Sequence, residues 1–346
     1  MSTKNLSSIW HRCQRGFSLV ELMVAMTLGL IILGAVGYLY LGSRQTFRTT
    51  DAIARIQENA RYALQIVAHD VRMAGYVGCV NLSAGTTNTT ATPTLAPALT
   101  AANAITGLDT GAGAASFGGI VRPAGDAISV MGAFGADVNL LVPVTGTANL
   151  KVTVNSLNFA AGDVLVVGSC GSADIFGATT VSASSGIITI AHGSANNTTP
   201  ILKGTYDTTA LVMKLEQYTY FIGTNPSGGR SLYRNSLSEG TVEVADNVWD
   251  MQILYGVDTN GDGSADGAYI PAGSVTNWSQ VVSARISLLL VSQDNVLSTP
   301  QTYTFFGDTS TAPSSFTPGA GAPDRLRMHQ VFTTTVGVRN RLAYGA

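Results

Sequence analysis

The chain has 346 residues, 12% of them charged and 45% hydrophobic, with 19 basic and 21 acidic side chains for a net charge of −2. That balance offers nucleic acid no strongly basic surface, and a charged share about half the usual quarter, with abundant Gly, Ala, Thr and Ser, fits an extracytoplasmic structural protein better than a cytosolic enzyme. About 300 residues lie beyond the N-terminal apolar region, enough for one large core or two smaller ones.

Residues 1–16 form a basic leader holding Lys4, Arg12 and Arg15, with no acid before Glu21. Without those three, 16 basic residues face 21 acidic ones, a net charge of −5. Phe17 to Leu41 is an apolar run of 25 residues in which Glu21 is the sole charge. As a helix at about 1.5 Å per residue it exceeds the roughly 30 Å hydrocarbon core of a bilayer. The basic leader then predicts a single pass with the C-terminal bulk outside. A secretory signal has an apolar region of only about 7–15 residues; in that alternative the cut would fall near Ala35 or Gly37. An ionised carboxylate in mid-membrane costs about 2.5–3.5 kcal/mol, so Glu21 calls for a partner, unless it sits in the first turns, where the helix dipole favours an acid.

The string Gly16-Phe17-Ser18-Leu19-Val20-Glu21, behind a basic leader and ahead of a long apolar helix, resembles the class III signal of type IV pilins. The resemblance implies that a membrane-embedded prepilin peptidase cuts between Gly16 and Phe17 and methylates the new Phe17 amine. Glu21 would then pair with the N-terminal amine of a neighbouring subunit. Mutual neutralisation of two buried charges rewards correct insertion and penalises misregistered insertion.

Beyond the membrane half, Ile53, Ile56, Ala60, Ala63, Leu64, Val67, Val71 and Ala74 recur at three-to-four spacing, with Arg55, Glu58, Arg61, Asp70 and Arg72 on the other faces. Residues 42–75 are therefore expected to continue the helix as an amphipathic half, with Gly75 as its stop. Gly29, Gly34 and Gly37 weaken the membrane half or allow close helix packing; the Pro carried there by many pilins is missing. Residues 76–346 read as the ectodomain. Cys79 and Cys170 are its only cysteines, and a compartment beyond a membrane favours pairing them in one disulfide over two free thiols or a bond to another protein.

Residues 83–119, rich in Thr, Ala and Gly, read as a loop-like excursion. Strands are predicted at Ala127–Met131, Val138–Val144, Leu150–Val154, Val164–Cys170, Ile175–Ser182 and Ile187–Ala191. A second set falls at Leu211–Ile222, Ser231–Asn235, Val248–Val257, Val281–Val291, Thr302–Phe306 and Gln330–Val338. Short runs with no helical period between them indicate antiparallel sheet. The expected fold class is α+β: a long N-terminal helix packed on an antiparallel ectodomain, with room for two β subdomains.

Four downstream strings resemble the PilW branch of minor pilins: Met73-Ala74-Gly75-Tyr76-Val77-Gly78-Cys79, Ser169-Cys170 with Ala173-Asp174-Ile175-Phe176, Tyr255-Gly256-Val257-Asp258, and Arg339-Asn340-Arg341. With the N-terminal signal, the resemblance reaches both ends of the chain.

The loop entered from Tyr255-Gly256-Val257 places oxygen side chains at alternate positions: Asp258, Asn260, Asp262, Ser264 and Asp266, with Gly263 allowing a sharp turn. Calcium loops are built this way, with Asp258, Asn260, Asp262 and Asp266 as candidate ligands and the Ser264 carbonyl as a fifth. Tyr269 stands where an EF-hand needs Glu, and a solvated turn uses the same residues. His11, His69, His192 and His329 show no metal-ligand or triad spacing, no phosphate loop or nucleophile elbow is present, and no enzyme is expected. Tyr218, Tyr220 and Phe221 fit strand core, and Arg325, Arg327, Arg339 and Arg341 a modest basic face or a charged strand edge.

The function these features imply is a minor pilin that helps to initiate or cap a type IV pilus. Its expected partners are prepilin peptidase, other minor pilins, the major pilin, the inner-membrane assembly machinery and membrane lipid. It would sit in the inner membrane with a periplasmic domain, then in the extracellular filament. A type II secretion pseudopilin shares the N-terminal signal, and a tip adhesin or DNA-uptake module is the alternative from a different class.

Overall fold

The computed structural model describes residues 18–80, 82, 86–113, 116–134, 137–153, 158–306 and 313–341. Its one α-helix among these residues is Leu19–Arg72. The chain divides into two compact units, residues 1–51 and 52–346.

In the first unit the helix is an apolar rod. Its mean hydropathy reaches 2.4 over an 18-residue window, none of it buried. From residue 18 to 51 all but Gly29 and Thr49 are exposed. Thr27 in the apolar run, and Thr46, Thr49 and Thr50 beyond it, turn their hydroxyls back onto carbonyls three or four residues earlier, which satisfies each hydroxyl within the helix.

In the second unit the helix buries Ile56, Ala60, Ala63, Val67, Asp70 and Val71, the stripe expected from the spacing plus one acid. The helix ends at Arg72, two residues short of the expected Ala74; Met73, Ala74 and Gly75 form a turn. Gly75 has φ +75°, and a Cβ there would lie 2.9 Å from Leu82 Cδ1 and 3.2 Å from Ala104 Cβ. Its N–H donates to the Met131 carbonyl at 2.7 Å, so helix exit and sheet are joined by main chain.

The sheet that receives the helix has nine strands. Its spine is the 14-residue strand Leu211–Thr224, reading outward through Val164–Gly168, Ser172–Gly177 and Thr86–Thr89 on one side, and through Arg230–Ser236 to Gly240–Asp246 on the other. Ala127–Ala133 also pairs with the spine, at Ile128–Ala133, and carries Ile105–Leu108 on its far edge. A separate three-stranded sheet joins Val248–Val257, Val281–Val291 and His329–Gly337. The helix stripe, Tyr220 and Ile222 of the spine, and Ile253, Ile286 and Leu288 of the second sheet share one core. A distinct core forms around Leu150, Leu165, Phe176, Ile190 and Tyr206, giving the ectodomain a second apolar centre.

The α+β class and the antiparallel pairing agree with expectation, with exceptions. Thr86–Thr89 runs parallel to Ser172–Gly177. The stretch 83–119 is not a bare loop: it supplies this strand and Ile105–Leu108, and buries Ala91, Ala96, Leu99, Ala104 and Ile105. Three of these five buried residues are Ala, so the signal of large apolar residues is weak. Val138–Val144 splits into Val138–Asn139 and Val144–Gly146, with Leu141 and Val142 exposed between them. Ile175–Ser182 splits into Ser172–Gly177 and Thr180–Ser184, which belong to different sheets. Gly240–Asp246 and Leu202–Tyr206 carry too many charged or small residues to reveal their strands in sequence.

Candidate functional site: the capped apolar helix and its anchored sheet

Gly16 and Phe17 lie outside the described residues. Glu21 is exposed in the first turn of the helix, where its carboxylate accepts the Ser18 N–H at 3.4 Å. Ser18-Leu-Val-Glu21 thus forms half of a capping box, the acid at the third helical position reaching back to the residue before the helix. Sequence reading raised the dipole effect for this acid but missed the cap, although the Ser-x-x-Glu spacing carries it.

The helix is tied to the sheet by a buried polar network that the sequence did not single out. Asp70 sits on the apolar stripe seven residues after Ala63; the Tyr220 hydroxyl donates to its Oδ2, and His69 Nδ1 lies 2.9 Å from its Oδ1. Asp70 is 5% exposed and Tyr220 fully buried. Burial, then the Asp70 carboxylate, holds the Tyr220 hydroxyl well above its ordinary pKa. Arg234, on the strand beside the spine, stacks 4.5 Å over the Tyr218 ring and bonds Glu239 at 2.9 Å. The signal available in sequence was an acid at a heptad position of an otherwise apolar face.

Cys79 and Cys170 form a disulfide across 91 residues. It fastens the segment leaving the helix to the turn between Val164–Gly168 and Ser172–Gly177. Nearby, a Cβ on Gly168 would come 2.6 Å from the Val77 carbonyl oxygen, so the close passage of these two segments needs glycine.

The C-terminal arginines are not one basic face. Arg341 donates to the carbonyls of Trp278, Val281 and Ala101, and burial pulls its guanidinium down to about 10. Asn340 donates to the Gly75 carbonyl. Asn340 and Arg341 therefore close the helix exit and the short 3-10 turn Trp278–Gln280, leaving Arg325 and Arg339 exposed. Tyr220 and Phe221 are core, as expected.

The acidic loop folds on itself. Asp258 accepts N–H bonds from Gly261 at 2.6 Å and Gly263 at 2.7 Å; Asp262 accepts from Ser264 at 2.7 Å. Asp266 accepts from Thr259 N–H at 2.8 Å and its hydroxyl at 2.7 Å, which holds its carboxyl below the usual range. Asn260 Oδ1 accepts the Asp262 N–H, and its amide reaches both Asp262 and Asp266. The five residues are together, and each carboxylate has loop donors; a cation would need the remaining lone pairs. Among the described residues no group of three or more His, Cys, Asp or Glu side chains is placed to hold a metal.

Two family profiles match the chain: the prokaryotic N-terminal methylation motif over residues 11–37 and the type IV pilus-assembly protein W over residues 219–340. The second covers the Tyr220 strand, the acidic loop and the Arg339-Asn340 closure, and the first covers Glu21 and the apolar helix. Over these two segments the chain is similar to PilW-like type IV pilins. Over 63 residues the chain is 41% identical to the pilin-like protein PilA3 of Thermus thermophilus, a match covering 18% of this chain and 27% of that protein. The chain thus spans about a quarter of the length of the curated relative it matches. A type IV-like pilin of the same organism superposes over 84% of this chain and 98% of its own, at 9% identity and a TM-score of 0.35. The family is structural, not enzymatic.

Proposed function

We propose that this pilin is a minor subunit of a type IV pilus that helps to start or cap the filament. A prepilin peptidase would cut between Gly16 and Phe17 and methylate the Phe17 amine. The chain would wait in the inner membrane with its β domain in the periplasm, then enter the fibre beside other pilins.

One observation carries this reading: an uncovered apolar helix whose sole charge up to Leu41 is Glu21, under a methylation motif. Among the described residues of the single subunit, Glu21 has the Ser18 N–H as its hydrogen-bond donor. An ammonium group from a neighbour is a stronger partner, because it adds the attraction of a full opposite charge where burial lowers the dielectric.

Intact mass and N-terminal sequencing of the chain from sheared filaments test the proposal. A start at methylated Phe17 is expected. Glu21→Ala is expected to leave insertion and cleavage intact while reducing the filament share. A start near Gly37, or normal incorporation of the variant, overturns the reading.

A further inference from the structure

We infer that the outer edge of the three-stranded sheet, the strand His329–Gly337, takes up an extended segment of a different pilin, neutral along its middle and acidic at its ends. That strand is terminal in its sheet and pairs with Val281–Val291 without a shift of register. In an antiparallel ladder each residue points both its N–H and its C=O either at the neighbouring strand or away from it, in alternation. His329 fixes the phase. Its N–H donates to the Gln301 side-chain carbonyl and its C=O accepts from the Gln301 amide, both at 3.0 Å. The groups of His329 therefore point outward, and those of Val331, Thr333, Thr335 and Gly337 share that direction. The Val338 N–H, one residue out of phase, donates back to the Val282 carbonyl, as the alternation requires. Gln301 closes one end of the edge as a strand would. Beyond it, among the described residues, the outward groups of Val331, Thr333 and Thr335 meet no partner, and Thr333 and Thr335 are exposed.

Native sheets guard such edges with charge, proline or a bulge. Gly240–Asp246, at the edge of the larger sheet, has Glu243, Asp246 and a shifted register. His329–Gly337 holds no Lys, Arg, Asp, Glu or Pro. Its histidine is buried against Asp324, and Arg285, across from Thr335, stacks on the Tyr269 ring at 4.3 Å. Outward donors and acceptors repeating about every 7 Å fit an extended backbone. Charge then selects the occupant. Arg325 and Arg327 precede the strand and Arg339 follows it, with Arg325 and Arg339 exposed. A second copy paired antiparallel about Thr333 would set Arg339 of each chain against Arg327 of the other, so like charges would oppose at both ends. A neutral segment with an acid at each end meets opposite charges there instead. That the segment belongs to a different pilin rests on the start-or-cap reading above.

The test uses the full-length chain in detergent and, as probe, a dye-labelled peptide of alternating Thr and Val with Glu at each end. Saturable binding by fluorescence anisotropy is expected, weakened about tenfold when both Glu are replaced by Lys. Two further peptides carry backbone N-methyl groups, one on every Thr and the other on every Val. One set of N–H groups faces the edge, so one of these peptides is expected to bind at least about tenfold more weakly than the parent and the other to match it. Thr333→Pro removes an outward N–H and leaves the ladder to Val281–Val291 intact. It is expected to abolish peptide binding and to lower recovery of the chain in sheared filaments about fivefold at an unchanged membrane level. Absence of saturable binding, equal binding of the two methylated peptides, equal binding of the acidic and basic peptides, or unchanged filament recovery of the variant overturns the inference. A wild-type dimer that Thr333→Pro dissolves makes a second copy the occupant and overturns it too. If the variant does not fold, the methylated peptides decide by themselves. If wild-type chain is absent from filaments, the filament reading fails alone, while the peptides still decide the edge.

Discussion

Removing the Tyr220 hydroxyl tests what fixes the helix to the sheet. In the folded chain that hydroxyl is the donor to Asp70 Oδ2, and the carboxylate is 5% exposed. Tyr220→Phe keeps the ring in the core but strips the carboxylate of its buried donor, leaving Oδ1 with His69 at 2.9 Å. A hydrogen bond to a charged group contributes about 1.5–3 kcal/mol, and an unpaired buried acceptor adds its own desolvation cost, so a loss of about 2–3 kcal/mol is expected. For an ectodomain of this size that is a fall in Tm on the order of 4–8 °C. Guanidinium unfolding of the full chain in detergent, followed by ectodomain tyrosine fluorescence, measures it. Asp70→Asn completes a double-mutant cycle with an expected coupling of at least about 1 kcal/mol. The hydroxyl's folded pKa lies above its unfolded value of about 10, so its contribution is complete below that pH and fades as pH rises further. Wild type should therefore lose stability above about pH 10 more steeply than Tyr220→Phe. Losses under about 0.5 kcal/mol in both single variants, or strict additivity, would refute the reasoning.

The disulfide closes a 91-residue separation; by chain entropy Cys79→Ala with Cys170→Ala should cost at most about 4–5 kcal/mol, and an unchanged denaturation midpoint would count against a structural role. Asp126 accepts N–H bonds from Thr110 at 2.9 Å and Ile253 at 2.7 Å, while burial pushes its carboxyl up to about 7, against two backbone donors and aided by Asp109. Its folded pKa thus exceeds the unfolded one, so the associated stability is complete below about pH 4 and is lost as pH rises through about 7, a change of a few kcal/mol. Asp126→Asn should flatten that part of the Tm–pH curve; an identical slope in the variant contradicts the assignment. Calcium binding by Asp258, Asn260, Asp262, Ser264 and Asp266 stands as a proposal: calcium should raise Tm and Asp262→Ala should cancel the rise, whereas no response to calcium or chelator leaves a self-capped turn.

The apolar run, the Glu21 motif and the amphipathic stripe were legible in sequence because helical periodicity and membrane length are local properties. Ile56, Ala60, Ala63, Val67 and Val71 are buried where the spacing put them. The cysteine pair was legible for a related reason: two thiols in a domain expected to lie beyond a membrane leave few choices. Long apolar strands such as Val248–Val257 and Val281–Val291 kept their sequence boundaries, since each is continuous and buried. What needed tertiary structure was everything set by a partner distant in the chain. Asp70 looks like a solvated acid until Tyr220, 150 residues later, meets it. Arg341 looks like surface charge until three carbonyls converge on it. The strand Gly240–Asp246 pairs through a bulged register with Arg230–Ser236, and its charges hid it from any alternation rule. Sequence by itself determined the helix, its anchor and the processing motif. Only the three-dimensional packing decided which polar groups became structural, because burial of a charge depends on what folds over it.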